Sequence, residues 1–122
     1  MTPLQRVHEH DLDRTLRRLG GVALVIITSQ WCGACKLVKR ALASVDDEAL
    51  ASAGLEPDAL HLLELDAVES AGLVADLEVF HLPSMFVYRD GEYHAPLHAP
   101  ARADALVDAL ARALAAPPVE PP

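Results

Sequence analysis

Only two cysteines occur in the 122 residues, and they stand three apart in Trp31-Cys32-Gly33-Ala34-Cys35-Lys36. Val22-Ala23-Leu24-Val25-Ile26-Ile27-Thr28 runs ahead of them, a continuous apolar run rich in β-branched residues, as expected of a strand buried on both faces of a sheet. Behind them Leu37, Val38, Ala41, Leu42 and Val45 recur at helical spacing. The pair therefore falls at a predicted strand-to-helix junction. With Cys32 in the first turn, unpaired backbone N–H groups and the positive end of the helix dipole face its sulfur and favour thiolate over thiol, so a lowered Cys32 pKa is expected. Thiolate is the nucleophile of disulfide exchange. Cys32 is the expected attacker of a partner's disulfide, and Cys35, one turn on and more buried, the thiol that resolves the mixed disulfide.

The rest of the chain must position that pair. A length of 122 residues with 52% hydrophobic content suits one domain with a real core. A formal net charge of -8 argues against nucleic acid or an anionic membrane surface as partner. The charged stretch from Met1 to Arg18 has no apolar leader pattern, and no apolar run approaches the roughly 18 residues of a membrane span, so a soluble cytoplasmic protein is expected. In a reducing compartment a close cysteine pair is redox-active or metal-binding rather than a structural staple.

Leu4 to His8 reads as a short first strand. Asp11 reads as the N-cap of a helix carrying Leu12, Leu16 and Leu19 on one face, with Gly20-Gly21 as the stop. After the cysteine helix, expected over Ala34 to Ser44, the segment Val45 to Asp58 contains either an extension of that helix or a separate short one opening at Asp46-Asp47-Glu48. Ala59 to Leu65 reads as a second buried strand. Asp66 and Glu69 resemble a capping box opening a helix to about Leu77, with Gly72 an unfavourable interior residue. Ser84 to Tyr88 and Glu92 to Leu97 read as strands joined by a hairpin at Asp90-Gly91, and Pro96 marks the second as an edge. A closing helix over Ala101 to Ala115 turns Ala103, Leu106, Val107, Leu110 and Leu114 inward and carries an Asp108 to Arg112 pair outside. Residues 1–116 then form the domain, and the proline-rich 117–122 a disordered tail.

The motif Trp31-Cys32-Gly33-x-Cys35-Lys36, followed by Leu82-Pro83-Ser84 with an apolar strand and Asp90-Gly91, resembles the thioredoxin family over nearly the whole chain short of the tail. The resemblance implies an α/β fold of three layers, α/β/α, with a central mixed sheet of four to five strands flanked by four helices. The strands following Gly21 and Pro57 and the first strand would run parallel, and the hairpin strands antiparallel to them. It also implies a cis Leu82-Pro83 bond facing the cysteines, which leaves the Leu82 backbone free to pair with an extended substrate chain, with Trp31 as an apolar contact beside it. The implied activity is reduction or exchange of disulfides in client proteins by a monomer. No bound cofactor or metal is implied, and electrons come from a flavoprotein reductase or a small thiol.

Four departures bear on which activity of this kind the chain has. Ala34 replaces the proline common between the cysteines, so the reduction potential does not carry over. Ile26 lies where the family places a buried acid beneath the cysteines, and Leu62 where that acid's lysine partner lies. Glu64 is a candidate substitute for that acid, though a poorly placed one. Arg40 replaces a frequent helix-kinking proline, and the segment from Val45 to Asp58 is longer than usual. His81, two residues before Pro83, would favour the Cys32 thiolate if protonated nearby; otherwise it is a solvent-facing loop residue.

Two other readings compete. Cys32-x-x-Cys35 is half of a zinc site, and His94 and His98 have histidine spacing found in such sites. On a strand, however, residues four apart are roughly 13 Å from each other, too far to share one ion. His8-Glu9-His10 is a surface run. A thioredoxin-like binding module or chaperone, holding clients around Trp31 and Leu82-Pro83, would keep its role after Cys32→Ser, whereas a catalyst would lose it.

Overall fold

In the computed structural model, which describes residues 3–122, the first two residues of the expected 1–116 unit lie outside the described residues. The strand β2 (Val22–Thr28) is the centre of the sheet. Its alternation sends Leu24 and Ile26 into one apolar core and Ala23, Val25 and Ile27 into another, which explains a run without polar interruption. β3 (Leu60–Asp66) pairs with it in parallel, and β1 (Leu4–Arg6) lies parallel outside β3. β4 (Ser84–Arg89) pairs antiparallel on the other side, and β5 (Glu92–Leu97) lies antiparallel outside β4, giving the order β1-β3-β2-β4-β5.

Helices cover both faces. The first core takes Val38 and Leu42 of α2 (Gly33–Ala43), Leu50 of α3 (Asp47–Ser52), and Leu106 and Leu110 of α5 (Ala103–Ala115). The second takes Leu12 and Leu16 of α1 (Leu12–Leu19), with Leu73 and Val74 of α4 (Ala71–Asp76) packed against it. The mixed sheet between two helical layers is the expected α/β/α architecture. α3 is additional to the four flanking helices: Asp46 caps it, its carboxylate accepting the Ala49 N–H at 2.8 Å, so the 45–58 segment holds a separate helix.

Some boundaries differ from the sequence reading, each for a physical reason. β1 stops at Arg6, since its pairing with β3 ends at Glu64. Asp11 does not cap α1 with its side chain; it ion-pairs with Arg14 instead, while His8 accepts the His10 N–H in a 3-10 turn ahead of the helix. Asp66 and Glu69 do not open a helix. The Asp66 carboxylate folds onto the N–H groups of Val68 and Glu69 as a local turn, and α4 starts only at Ala71. Its first turn is served from far away, Glu9 Oε2 accepting the Leu73 N–H at 2.8 Å. The same oxygen lies 3.1 Å from where a Cβ on Gly72 would stand, so the glycine makes room for the cap.

The hairpin is held to the start of β2. Asp90 and Gly91 both have positive φ, at 50° and 86°, as a two-residue turn of this hand requires. The Asp90 carboxylate accepts the Gly21 N–H at 2.8 Å, and the Asp90 N–H donates to the Gly21 carbonyl at 2.7 Å.

Candidate active site

β2 ends at Thr28, and the chain crosses Ser29 to Trp31 before entering α2 at Gly33. Cys32 is the N-cap, with extended backbone (φ −93°, ψ 108°), and its Sγ accepts the N–H of Cys35 at 3.1 Å. The cysteine sulfur here occupies the place a serine or aspartate oxygen takes at other helix starts. Cys32 and Cys35 are joined in a disulfide with their Cα atoms 5.2 Å apart. Cys32 is partly accessible, whereas Cys35 is 0% exposed. Cys32 is thus partly open to solvent and Cys35 is shielded from it.

The surrounding residues divide between surface and interior. Trp31 is 86% exposed, and Gly33, Ala34 and Lys36 are also exposed on the first turn of α2. α2 runs unbroken through Arg40, as the absence of proline there permits. The Leu82-Pro83 peptide bond is cis. Ser84, which follows it, pairs with Ile27 near the end of β2, so the cis segment lies at the edge of the sheet from which the cysteine loop departs. His81 is exposed there; its carbonyl accepts the Ser84 hydroxyl at 2.7 Å, and its ring makes no hydrogen bond among the described residues.

A buried charge lies beneath this surface. Glu64 is only 6% exposed and is the register partner of Ile26 on the neighbouring strand. Its Oε2 accepts the Thr28 hydroxyl at 2.6 Å and the Lys39 ammonium at 2.9 Å, and Arg6 approaches Oε1 at 3.9 Å. Burial alone raises its pKa, but the hydrogen bonds from Thr28 and Lys39 and the charges of Lys39 and Arg6 outweigh it and hold the carboxyl below the usual value. Glu64 is thus a buried, paired carboxylate on the strand beside Ile26. Its lysine partner comes from α2, at Lys39, and not from position 62. Lys39 is four residues after Cys35 and so shares its helix face, one turn away. Sequence reasoning missed Lys39 and Thr28; the i to i+4 relation of Lys39 to Cys35 was the available signal.

His94, by contrast, has its Nε2 engaged within the fold. It is buried, and its Nε2 lies 2.8 and 3.0 Å from the carbonyls of Ala113 and Ala116, acceptors that require the proton on that nitrogen. His98 is exposed.

Strand, N-cap cysteine and buried second sulfur define a dithiol/disulfide protein on a three-layer α/β/α scaffold. The family model described as Thioredoxin matches residues 4–112. Thioredoxin of Staphylococcus epidermidis is 31% identical over 87 residues, covering 71% of this chain and 75% of the relative. Among solved structures, an asparagine-to-glutamine mutant of thioredoxin from Halobacterium salinarum superimposes with a TM-score of 0.65 at 20% identity, over 87% of this chain and 86% of that one. The zinc-bound form of human ERp44 superimposes with a TM-score of 0.72 at 15% identity, over 89% of this chain, which spans only 30% of that one. The chain belongs to the thioredoxin family, and its activity is thiol–disulfide oxidoreduction. No helix among the described residues is long and apolar enough to cross a membrane.

Proposed function

We propose that this protein reduces or exchanges disulfides of client proteins, with Cys32 as nucleophile and Cys35 as resolving thiol. The observation that carries the assignment is the asymmetry of the pair: Cys32 is partly accessible and its Sγ receives a helix N–H, while Cys35 is buried. Starting from the dithiol, Cys32 thiolate attacks one sulfur of the client disulfide, and the other client sulfur leaves as thiolate and takes a proton. Cys35 then gives up its proton and attacks Cys32 Sγ. The Cys32–Cys35 disulfide closes and the second client thiolate leaves, so that two electrons have passed to the client.

Trp31, Gly33, Ala34 and Lys36 form the contact surface around the sulfur in this reading. Leu82 and Pro83, with His81 beside them, form the groove for the client backbone. The Glu64–Lys39–Thr28 network supports proton transfer at Cys35 from one helical turn away. The working unit is residues 1–116, a monomer in the cytoplasm, recharged by a flavoprotein reductase or a small thiol and needing no bound cofactor.

Cys35→Ser should accumulate a mixed disulfide with a reducible protein such as insulin, detectable by mass, and Cys32→Ser should not. Equal trapping by both variants would overturn the assigned roles. Titration of the pair in dithiol buffers then gives the direction: a potential near about −270 mV marks a reductase, and one near about −200 mV an exchanging or oxidising role.

A further inference from the structure

Residues 117–122, Pro-Pro-Val-Glu-Pro-Pro, follow α5 and fold back along β5. The Val119 N–H donates to the His94 carbonyl at 2.8 Å, on the side of β5 away from β4. Pro122 then lines a cavity of about 220 Å³ together with Phe80, His81, Pro83, Pro96 and His98. The two contacts give a direction. β5 runs from His94 toward Leu97, which pairs with Met85 just after the cis bond, so the segment travels with β5 toward the cysteine end of the sheet. Three residues from Val119 to Pro122 in a proline-type extended chain cover about 9 Å, and three from His94 to Leu97 on a strand about 10 Å. The spans match.

Several features suit the segment to this place. Four of its six residues are proline, so its backbone is largely fixed before it docks and loses little entropy on doing so. Only Val119 and Glu120 have an N–H, and Val119 uses its own on the exposed edge. The missing donors prevent the segment from becoming a sixth strand that would recruit further chains. His94 fixes the departure point, since its ring holds the Ala113 and Ala116 carbonyls while its own carbonyl receives Val119. Phe80, 89% exposed, offers an apolar face at the cavity that no core requirement explains.

We propose that the β5 edge and this cavity form a docking site for an extended, proline-bearing segment, and that residues 117–122 occupy it in cis and compete there with the client. The proposal rests on the reading above that His81 and Pro83 belong to the client groove. Because the cavity shares those two residues, a client lying on Leu82-Pro83 must displace Pro122 or approach past it. Trp31 and Cys32 carry no part of the strap, so a small disulfide reaches the sulfur whether the strap is down or up.

The test compares the full chain with a chain ending at Ala116, in insulin turnover with dithiothreitol as reductant and, separately, in single-turnover reduction of the small aromatic disulfide DTNB by chains reduced beforehand and freed of dithiothreitol. One exposed main-chain hydrogen bond and one ring contact hold the docked state by about three- to tenfold, and a ligand that needs the undocked state has its apparent affinity reduced by that fraction. Removal of 117–122 should therefore lower KM for insulin about three- to tenfold, with kcat and the DTNB rate unchanged. Val119→Pro, which deletes only the N–H, should reproduce part of that gain, and Val119→Ala, which keeps it, should not. Added Pro-Pro-Val-Glu-Pro-Pro peptide should raise KM for insulin again on the shortened chain. Equal KM for the full and shortened chains, with DTNB reduced normally by both, would overturn the strap. Failure of both chains to reduce DTNB would instead overturn the oxidoreductase assignment of Cys32 and Cys35.

Discussion

Glu64→Gln is the perturbation that best separates charge from packing in the interior of this protein. The replacement keeps the side-chain volume, and its amide oxygen still accepts from Thr28, whose hydroxyl lies 2.6 Å from the native carboxylate. What it removes is the charge-assisted bond from Lys39 at 2.9 Å. A hydrogen bond to a charged group contributes about 1.5–3 kcal/mol. The Lys39 side chain is 35% exposed and can turn to water once its partner is gone, so the orphaned cation adds little. Arg6, 59% exposed and 3.9 Å away, contributes almost nothing. The expected loss is about 2 kcal/mol at pH 7, which for a domain of this size lowers Tm by about 8 °C.

The pH dependence carries the decision. Burial works to raise the Glu64 pKa, yet the Thr28 and Lys39 interactions bring it below the ordinary 4.5. A carboxyl with a depressed native pKa contributes its full stability above the unfolded value and loses it as pH falls through the native one. The gap between native protein and Glu64→Gln should therefore be complete at pH 7 and narrow progressively below about pH 4.5. Urea unfolding of the oxidised proteins at a series of pH values measures this, and all other carboxylates cancel in the difference. A gap that stays constant down to pH 3, or one below about 0.5 kcal/mol at pH 7, would refute the account of Glu64 as a stabilising buried ion.

Two further substitutions test backbone and core. Gly21 has φ +60°, and a Cβ there would stand 2.5 Å from the Ala59 carbonyl oxygen, a fixed backbone atom. Gly21→Ala should cost at least about 2 kcal/mol, more than the roughly 1 kcal/mol of conformational strain alone, and equal Tm values would contradict the close approach. Ser70 is 1% exposed, and its hydroxyl has no hydrogen-bond partner among the described residues. Ser70→Ala should raise stability by up to about 1 kcal/mol in urea unfolding; a loss of that size would show that the hydroxyl is satisfied.

How far the fold was legible follows from the range of the interactions that set each part. β2, α2, the hairpin and α5 are written in local signals: a β-branched run, a helical apolar stripe, an Asp-Gly turn. Those signals set Cys32 and Cys35 at the start of α2 and Pro83 just ahead of β4. The start of α4 was misplaced because its cap comes from Glu9, 64 residues earlier in the chain, while the nearby Asp66 is used up by its own turn. Asp11 failed as a cap for a similar reason, since Arg14 claims its carboxylate.

The same distinction separates the visible from the hidden part of the site. The sulfurs are neighbours in sequence, so spacing alone brings them together. Glu64, Thr28 and Lys39 come from β3, β2 and α2, and only the parallel register that sets Glu64 beside Ile26, with the packing of α2 over it, brings them together. A substitution at Ile26 reads in the sequence as the loss of a buried charge. In three dimensions a buried charge stands beside Ile26 on the neighbouring strand, with its cation supplied by the helix that carries Cys35. The interior on that face of the sheet thus holds a paired charge that neither Ile26 nor Leu62 announces.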